Sequence, residues 1–120
     1  MGKRYLIDSN VIIKSATIGE LDDNSIQFLT PIFNSSFNIS VISKIEILSK
    51  DDRLRPFIEE SNILPLTEQI INKTIELRRK YKVKIPDAII AATALIHHFD
   101  LISYNIKDFN FIKGLKVIDP

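Results

Sequence analysis

Apolar residues in this chain alternate between short unbroken runs and longer stretches in which they recur at helical spacing. Residues 4–7 (RYLI) read as a buried strand that stops at Asp8-Ser9-Asn10, side chains that favour turns and helix N-caps, so a helix is expected from near Asn10. Residues 22–34 set Ile26, Leu29, Ile32 and Phe33 on one helical face behind caps at Asp22 to Asn24, with Pro31 as a source of kinking. Residues 37–42 are rich in β-branched and aromatic side chains and predict a second strand. Ser43 then offers a cap with Glu46 three residues on, which puts Glu46 in the first turn of the next helix.

Residues 51–61 continue as a polar-faced helix, and residues 62–66 give a third strand in which Pro65 argues against a central place in a sheet. Residues 67–81 carry Ile70, Ile71, Ile75 and Leu77 between charges, an amphipathic helix with Thr67 as its cap. Pro86-Asp87 opens AIIAATALIHHF, which is apolar on nearly every side and so belongs in the core. Residues 101–103 and 115–118 complete the strands, with a brief turn or helix over 107–112 between them. Strands alternating with helices predict βαβ units and an α/β fold, a three-layer α/β/α sandwich around a short, mainly parallel sheet.

Composition bounds the reading without redirecting it. The 120 residues suit one domain, expected over 1–120. Cysteine is absent, which excludes disulfides and thiolate metal sites and fits a reducing compartment, so a cytoplasmic location is expected. Met1 runs straight into the first strand without a charged-then-apolar leader, and no apolar stretch approaches the ~20 residues of a membrane span, so no membrane association is expected. The net charge of +1 exerts no global pull on a polyanion; nucleic-acid binding would have to come from local clusters.

In parallel α/β sheets, functional residues gather beyond the carboxyl ends of the strands, and four acids fall there: Asp8, Glu46, Asp87 and Asp108. Taken singly, each has a structural explanation as an N-cap, half of a capping box, a first-turn acid or a turn residue. Taken together, carboxylates in one crevice repel one another unless a cation neutralises them. With oxygen ligands alone, the preferred ions are Mg²⁺ or Mn²⁺, and zinc is disfavoured. Such a centre suits phosphodiester hydrolysis by water. Asn10, Ser103 and Asn105 lie beside the acids in sequence and are expected to orient them or hold water.

The blocks LIDSNVII, SVISKIEIL, KIPDAIIAATALIHH and LISYNIKDFNFIKGLKVIDP resemble, in order and over essentially the whole chain, the signature blocks of PIN domains, most of all the toxin ribonucleases of VapBC pairs. The resemblance implies a parallel sheet, Mg²⁺ or Mn²⁺ dependence, cleavage of RNA, a homodimer and inhibition by a cognate antitoxin. Asp8, Glu46 and Asp87 match the family's acidic triad, Asp108 its more variable fourth acid, and Asn10 and Asn105 polar positions beside them. Ser103 stands where the family usually has threonine, which keeps the hydroxyl. The segment between Glu46 and Asp87 is somewhat short for the family.

Lys14, Lys44, Arg53 and Arg55 lie near the acids in sequence and are candidates for RNA phosphate contacts. Residues 78–84 (RRKYKVK) place five cations in seven residues, either a footprint for RNA or a solvated helix end that complements the helix dipole. His97 and His98 point about 100° apart on a helix and do not make a catalytic pair. A receiver or phosphatase domain also places an aspartate after its first strand, but Asp8-Ser9-Asn10 lacks the second aspartate. The remaining alternatives are a PIN-like module that binds RNA or protein without cutting, and a DNA nuclease sharing the same acids.

Overall fold

The computed structural model describes residues 4–17 and 19–120. The expectation that Met1 leads into the first strand without a leader lies outside the described residues. Five strands, β1 (Tyr5–Ile7), β2 (Asn38–Ser40), β3 (Asn62–Leu64), β4 (Asp100–Ile102) and β5 (Val117–Ile118), pair in parallel in the order β3-β2-β1-β4-β5. Six α-helices flank them: α1 (Ser9–Ser15), α2 (Asp23–Phe33), α3 (Val41–Lys50), α4 (Arg55–Glu59), α5 (Glu68–Lys80) and α6 (Ile85–His97). The expected parallel α/β sandwich is the observed one.

The strands are short because polar residues turn the chain into helices at once. Asp8 accepts from the Ser9 N–H and caps α1, and Ser40 accepts from the Ser43 N–H and caps α3. This corrects the second strand and the helix after it. The β-branched pair Val41-Ile42 suggests strand, yet the Ser40 cap starts the helix there, so Ser40 rather than Ser43 is the cap. Glu46 consequently sits in the second turn of α3.

The expected helix over 51–61 is broken into a 3₁₀ turn (Asp52–Leu54) and α4, with Asp51 bonded to the Arg53 N–H and Pro56 near the α4 start. Pro31 lies inside α2. The inward faces of α2 and α5 are also rotated from expectation. Ser25 and Leu29 are buried on α2 while Ile26 is exposed, and Ile70, Thr74 and Leu77 are buried on α5 while Ile75 is exposed. The short polar side chains of Ser25 and Thr74 tolerate burial because their hydroxyls donate to the Pro120 and Ile70 carbonyls.

Successive residues of β1 and β4 serve opposite layers, as the pleat requires. Leu6 and Leu101 join α5 and α6 in one core, and Ile7 and Ile102 join α1, α2, α3 and α4 in the other. Each fully buried Leu, Ile or Phe contributes about 1.5–3 kcal/mol. Helix α6 is buried from Ala88 to Ala94, packed chiefly against α5 with α3 and β4 also in contact. It ends at His98, whose left-handed backbone (φ 58°) closes the last turn. The strand order reverses at β1, which lies between β2 and β4, and that switch opens a crevice beyond their carboxyl ends.

Candidate metal centre

Asp8, directly after central β1, is only 4% exposed. Ser103, directly after β4, donates its hydroxyl to Asp8 Oδ2 at 2.7 Å. The Ser9 N–H donates to Oδ1 at 2.8 Å, and Asn10 Nδ2 reaches Oδ2 at 3.3 Å. Asn10 Oδ1 accepts from the Tyr104 N–H, and the Asn105 N–H donates to Ser103 Oγ, so the loops after β1 and β4 are bonded to each other around one carboxylate. The torsions of Asp8 are fixed by this frame.

Glu46 and Asp87 approach from two helices. Glu46 Oε1 accepts from Ser9 Oγ at 3.2 Å. Asp87 lies in the first turn of α6, where Pro86 fixes the entry of the chain. Both line, with Asp8, Asn10 and Asn105, a cleft of about 450 Å³. Asp108, at the end of a 3₁₀ turn (Ile106–Asp108), is exposed and does not line the cleft, though its charge acts on Asp87.

Burial pushes the Asp8 carboxyl above its ordinary range, against the pull of the Ser103 and Ser9 hydrogen bonds, and the charge of Glu46 adds to the rise. Burial likewise raises Asp87, followed by the charges of Asp108 and Asp8, with Lys84 opposing them. Asp8 thus feels the charge of Glu46, and Asp87 feels those of Asp108 and Asp8. Among the described residues, however, no three Asp, Glu, His or Cys side chains are close enough as placed to hold one ion together. The acids border the space without converging in it.

The donor set fits a hard divalent ion: carboxylates from three elements, supported by amide and hydroxyl groups, with neither thiolate nor imidazole on the cleft wall. The histidines are remote, since the ten residues from Asp87 to His97 span about 15 Å of helix. Lys14 also lines the cleft, its Nζ 4.3 Å from the centre of the Tyr104 ring. Lys44 is half-buried on α3 and does not line the cleft. Arg53 and Arg55 are bonded to Asp51 and Asp52, at 2.8 and 2.7 Å, away from it.

Sequence reasoning missed Ser9, Thr17, Glu20 and Lys50, which also line the cleft. Lys50 follows Glu46 by four residues, so the helical period carried a signal for it, whereas Thr17 lies beyond the end of α1, where no period applies.

This chain belongs to the PIN domain family, whose pattern it matches over residues 5–113. Among its relatives is Ribonuclease VapC1 of Rickettsia felis, 33% identical over 86 residues that cover 71% of this chain. The match spans 60% of that relative's length. A chain of a toxin-antitoxin complex from Klebsiella pneumoniae shares 32% identity and superposes with a TM-score of 0.78 over 97% of both chains. The fold recurs at 20% identity in VapBC2 of Rickettsia felis bound to a DNA fragment from their promoter, with a TM-score of 0.76 over 95% of this chain and 96% of that one.

Proposed function

We propose that this protein is a Mg²⁺- or Mn²⁺-dependent endoribonuclease, the toxin of a toxin-antitoxin pair, with its active centre at Asp8, Glu46 and Asp87 and with Asp108 assisting. The observation that carries the reading is Asp8: a carboxylate almost without solvent, oriented by Ser103, Ser9 and Asn10, and facing two further acids across a cleft. A carboxylate at that depth lowers the stability of the metal-free protein, a cost that a bound cation offsets. Membership of the PIN family and the likeness to Ribonuclease VapC1 support the same activity.

When bound, the ion polarises the phosphoryl group and lowers the pKa of the attacking water. Asp8, Glu46 and Asp87 would hold it. Ser103 and Asn10 lock the Asp8 carboxylate and Ser9 steadies Glu46, so Asp8 would serve as the fixed point toward which Glu46 and Asp87 draw in on binding. Lys14 and Lys50 stand on the cleft wall to draw in the phosphate that the acids alone would repel. Water is the nucleophile.

The partners that fit this reading are RNA, a second copy of the chain in a homodimer, and a cognate antitoxin that blocks the cleft, with an arginine pairing with the carboxylates. The likeness to a chain of the Klebsiella complex supports the antitoxin. Among the described residues no helix is long and apolar enough to cross a membrane, and the proposed site of action is the cytoplasm. The test is manganese-dependent cleavage of a cellular RNA pool by wild type and Asp8→Asn in parallel. Metal-stimulated cuts present only with wild type are expected; equal cutting by both, or binding without cutting, defeats the proposal.

A further inference from the structure

Of the cations singled out in the sequence, those over residues 78–84 have no place in the cleft, and beyond the helix end the fold turns Lys82 and Lys84 outward together. Helix α5 ends at Lys80, Tyr81 is extended (φ −128°, ψ 155°), and so is Lys84 (φ −68°, ψ 152°), the N-cap of α6. Over 81–84 burial alternates: Tyr81 and Val83 are half-buried, Lys82 and Lys84 exposed. An extended segment spaces such outward residues by roughly 6.6 Å, comparable with successive phosphates of a stretched single strand. The path is pinned from beneath, where Arg78 Nε donates to the Val83 carbonyl at 3.2 Å.

One end of this segment lies beside the cleft, because Lys84 is the N-cap of α6 and precedes the cleft-lining Asp87 by three residues. The other end carries a second cation and an exposed ring. The Tyr81 hydroxyl accepts from the Lys113 N–H at 3.2 Å, Phe111 lies 5.5 Å from the Tyr81 ring and is 42% exposed, and Lys80 Nζ is 5.5 Å from the same ring. Among the described residues, Arg78, Arg79, Lys80, Lys82, Lys84 and Lys113 form no salt bridge with a carboxylate. A helix-end role explains Arg78, Arg79 and Lys80; it does not explain Lys82, Lys84, Lys113 or Phe111, which lie beyond the helix.

We infer that the strip Lys84-Lys82-Lys80-Lys113, with Phe111 as a stacking surface, is the track along which single-stranded RNA leaves the acidic cleft. This rests on the proposed nuclease reading for the identity of the polymer. The chemistry is that of sequence-tolerant single-strand binding, in which cations follow the backbone and a ring receives a base. It also answers a problem posed by the cleft, whose acids repel the chain they are to cut.

The test measures binding in EDTA by fluorescence anisotropy, where no cutting intrudes, with RNA of about twelve nucleotides, within the site sizes usual for single strands. The combined Lys80→Gln, Lys82→Gln, Lys113→Gln protein should bind about tenfold more weakly, and its salt slope should fall by about 2, from three lost contacts at 0.7 each. Phe111→Ala should weaken binding about fivefold or more with the slope unchanged. Manganese-dependent cutting of a trinucleotide, which extends no farther than the Lys84 end of the strip, should match wild type in both.

An unchanged affinity and slope in the triple variant, while wild type cuts RNA, overturns the track. Equal losses on long and short substrates overturn it as well. If wild type never cuts RNA yet the triple variant loses affinity as stated, the nuclease reading falls and the track stands. Binding of polyglutamate as tight as that of RNA, indifferent to Phe111→Ala, would assign the strip to an acidic protein segment instead.

Discussion

The two ends of the sheet handle polar residues in opposite ways. At the amino ends, Asn38 Nδ2 donates to the Tyr5 carbonyl at 3.0 Å, and Asn62 Nδ2 donates to Asn38 Oδ1 and Ser36 Oγ at 3.2 and 2.6 Å. These are neutral amides that tie β1, β2 and β3 together. At the carboxyl ends of the same strands, the polar groups include ionisable acids; burial holds Asp8 and Asp87 above their ordinary pKa, with the charge of Glu46 adding to the rise of Asp8 and those of Asp108 and Asp8 to the rise of Asp87. One end spends its hydrogen bonds on cohesion; the other holds charge in a place that costs stability, as functional sites tend to.

The sharpest way to break this contrast is Asp8→Asn. Asparagine caps a helix as well as aspartate, and its amide can still accept from Ser9 and meet Ser103, so the fold should persist. Manganese-dependent cleavage should fall about 10³-fold, the scale for losing a main electrostatic contact, while the metal-free protein should melt a few degrees higher at neutral pH. Because the folded pKa of Asp8 is raised, its destabilising charge is absent below the unfolded value of about 3.8 and appears as pH rises through the folded value. The melting difference between the two proteins should therefore vanish in acid, and Mn²⁺ should stabilise wild type alone. A variant that melts lower than wild type at neutral pH would contradict the account.

Ser103→Ala should follow, with metal affinity and cleavage down about 10–100-fold, as for other groups that orient a ligand. Titration of Mn²⁺ by calorimetry measures it. At the opposite end, Asn38→Ala should lower stability by about 1 kcal/mol with cleavage unaltered, which urea unfolding beside a cleavage assay would show. The smallest effect is expected at His98, where glycine removes the strain of the left-handed backbone and should add up to about 1 kcal/mol without touching activity.

What the sequence made legible was local. Asp8 could be placed because an apolar run ends on a cap, and Asp87 because Pro86 marks a helix start. The parallel fold followed from alternation. Illegible features depended on which of two similar residues wins a hydrogen bond: Ser40 took the cap that Ser43 also offers, and this moved Glu46 by a turn. Thr17 enters the cleft from beyond the end of α1, where no helical period applies, and Arg53 and Arg55 were taken up by adjacent aspartates that compete for them. The distance from Glu46 to Asp87 has no sequence signature, since it is decided by how α3 and α6 lean on the sheet.

That lean is governed by Ala88, Ala91, Ala92 and Ala94, all with no exposed surface. A rod resting on methyl groups has no softer layer to yield, so a single added carbon beneath it would tilt it, and the tilt would displace Asp87 at its tip. The width of the gap proposed to hold a cation would thus be set in part from the hydrocarbon interior, and variation among those alanines would change it without altering any acid.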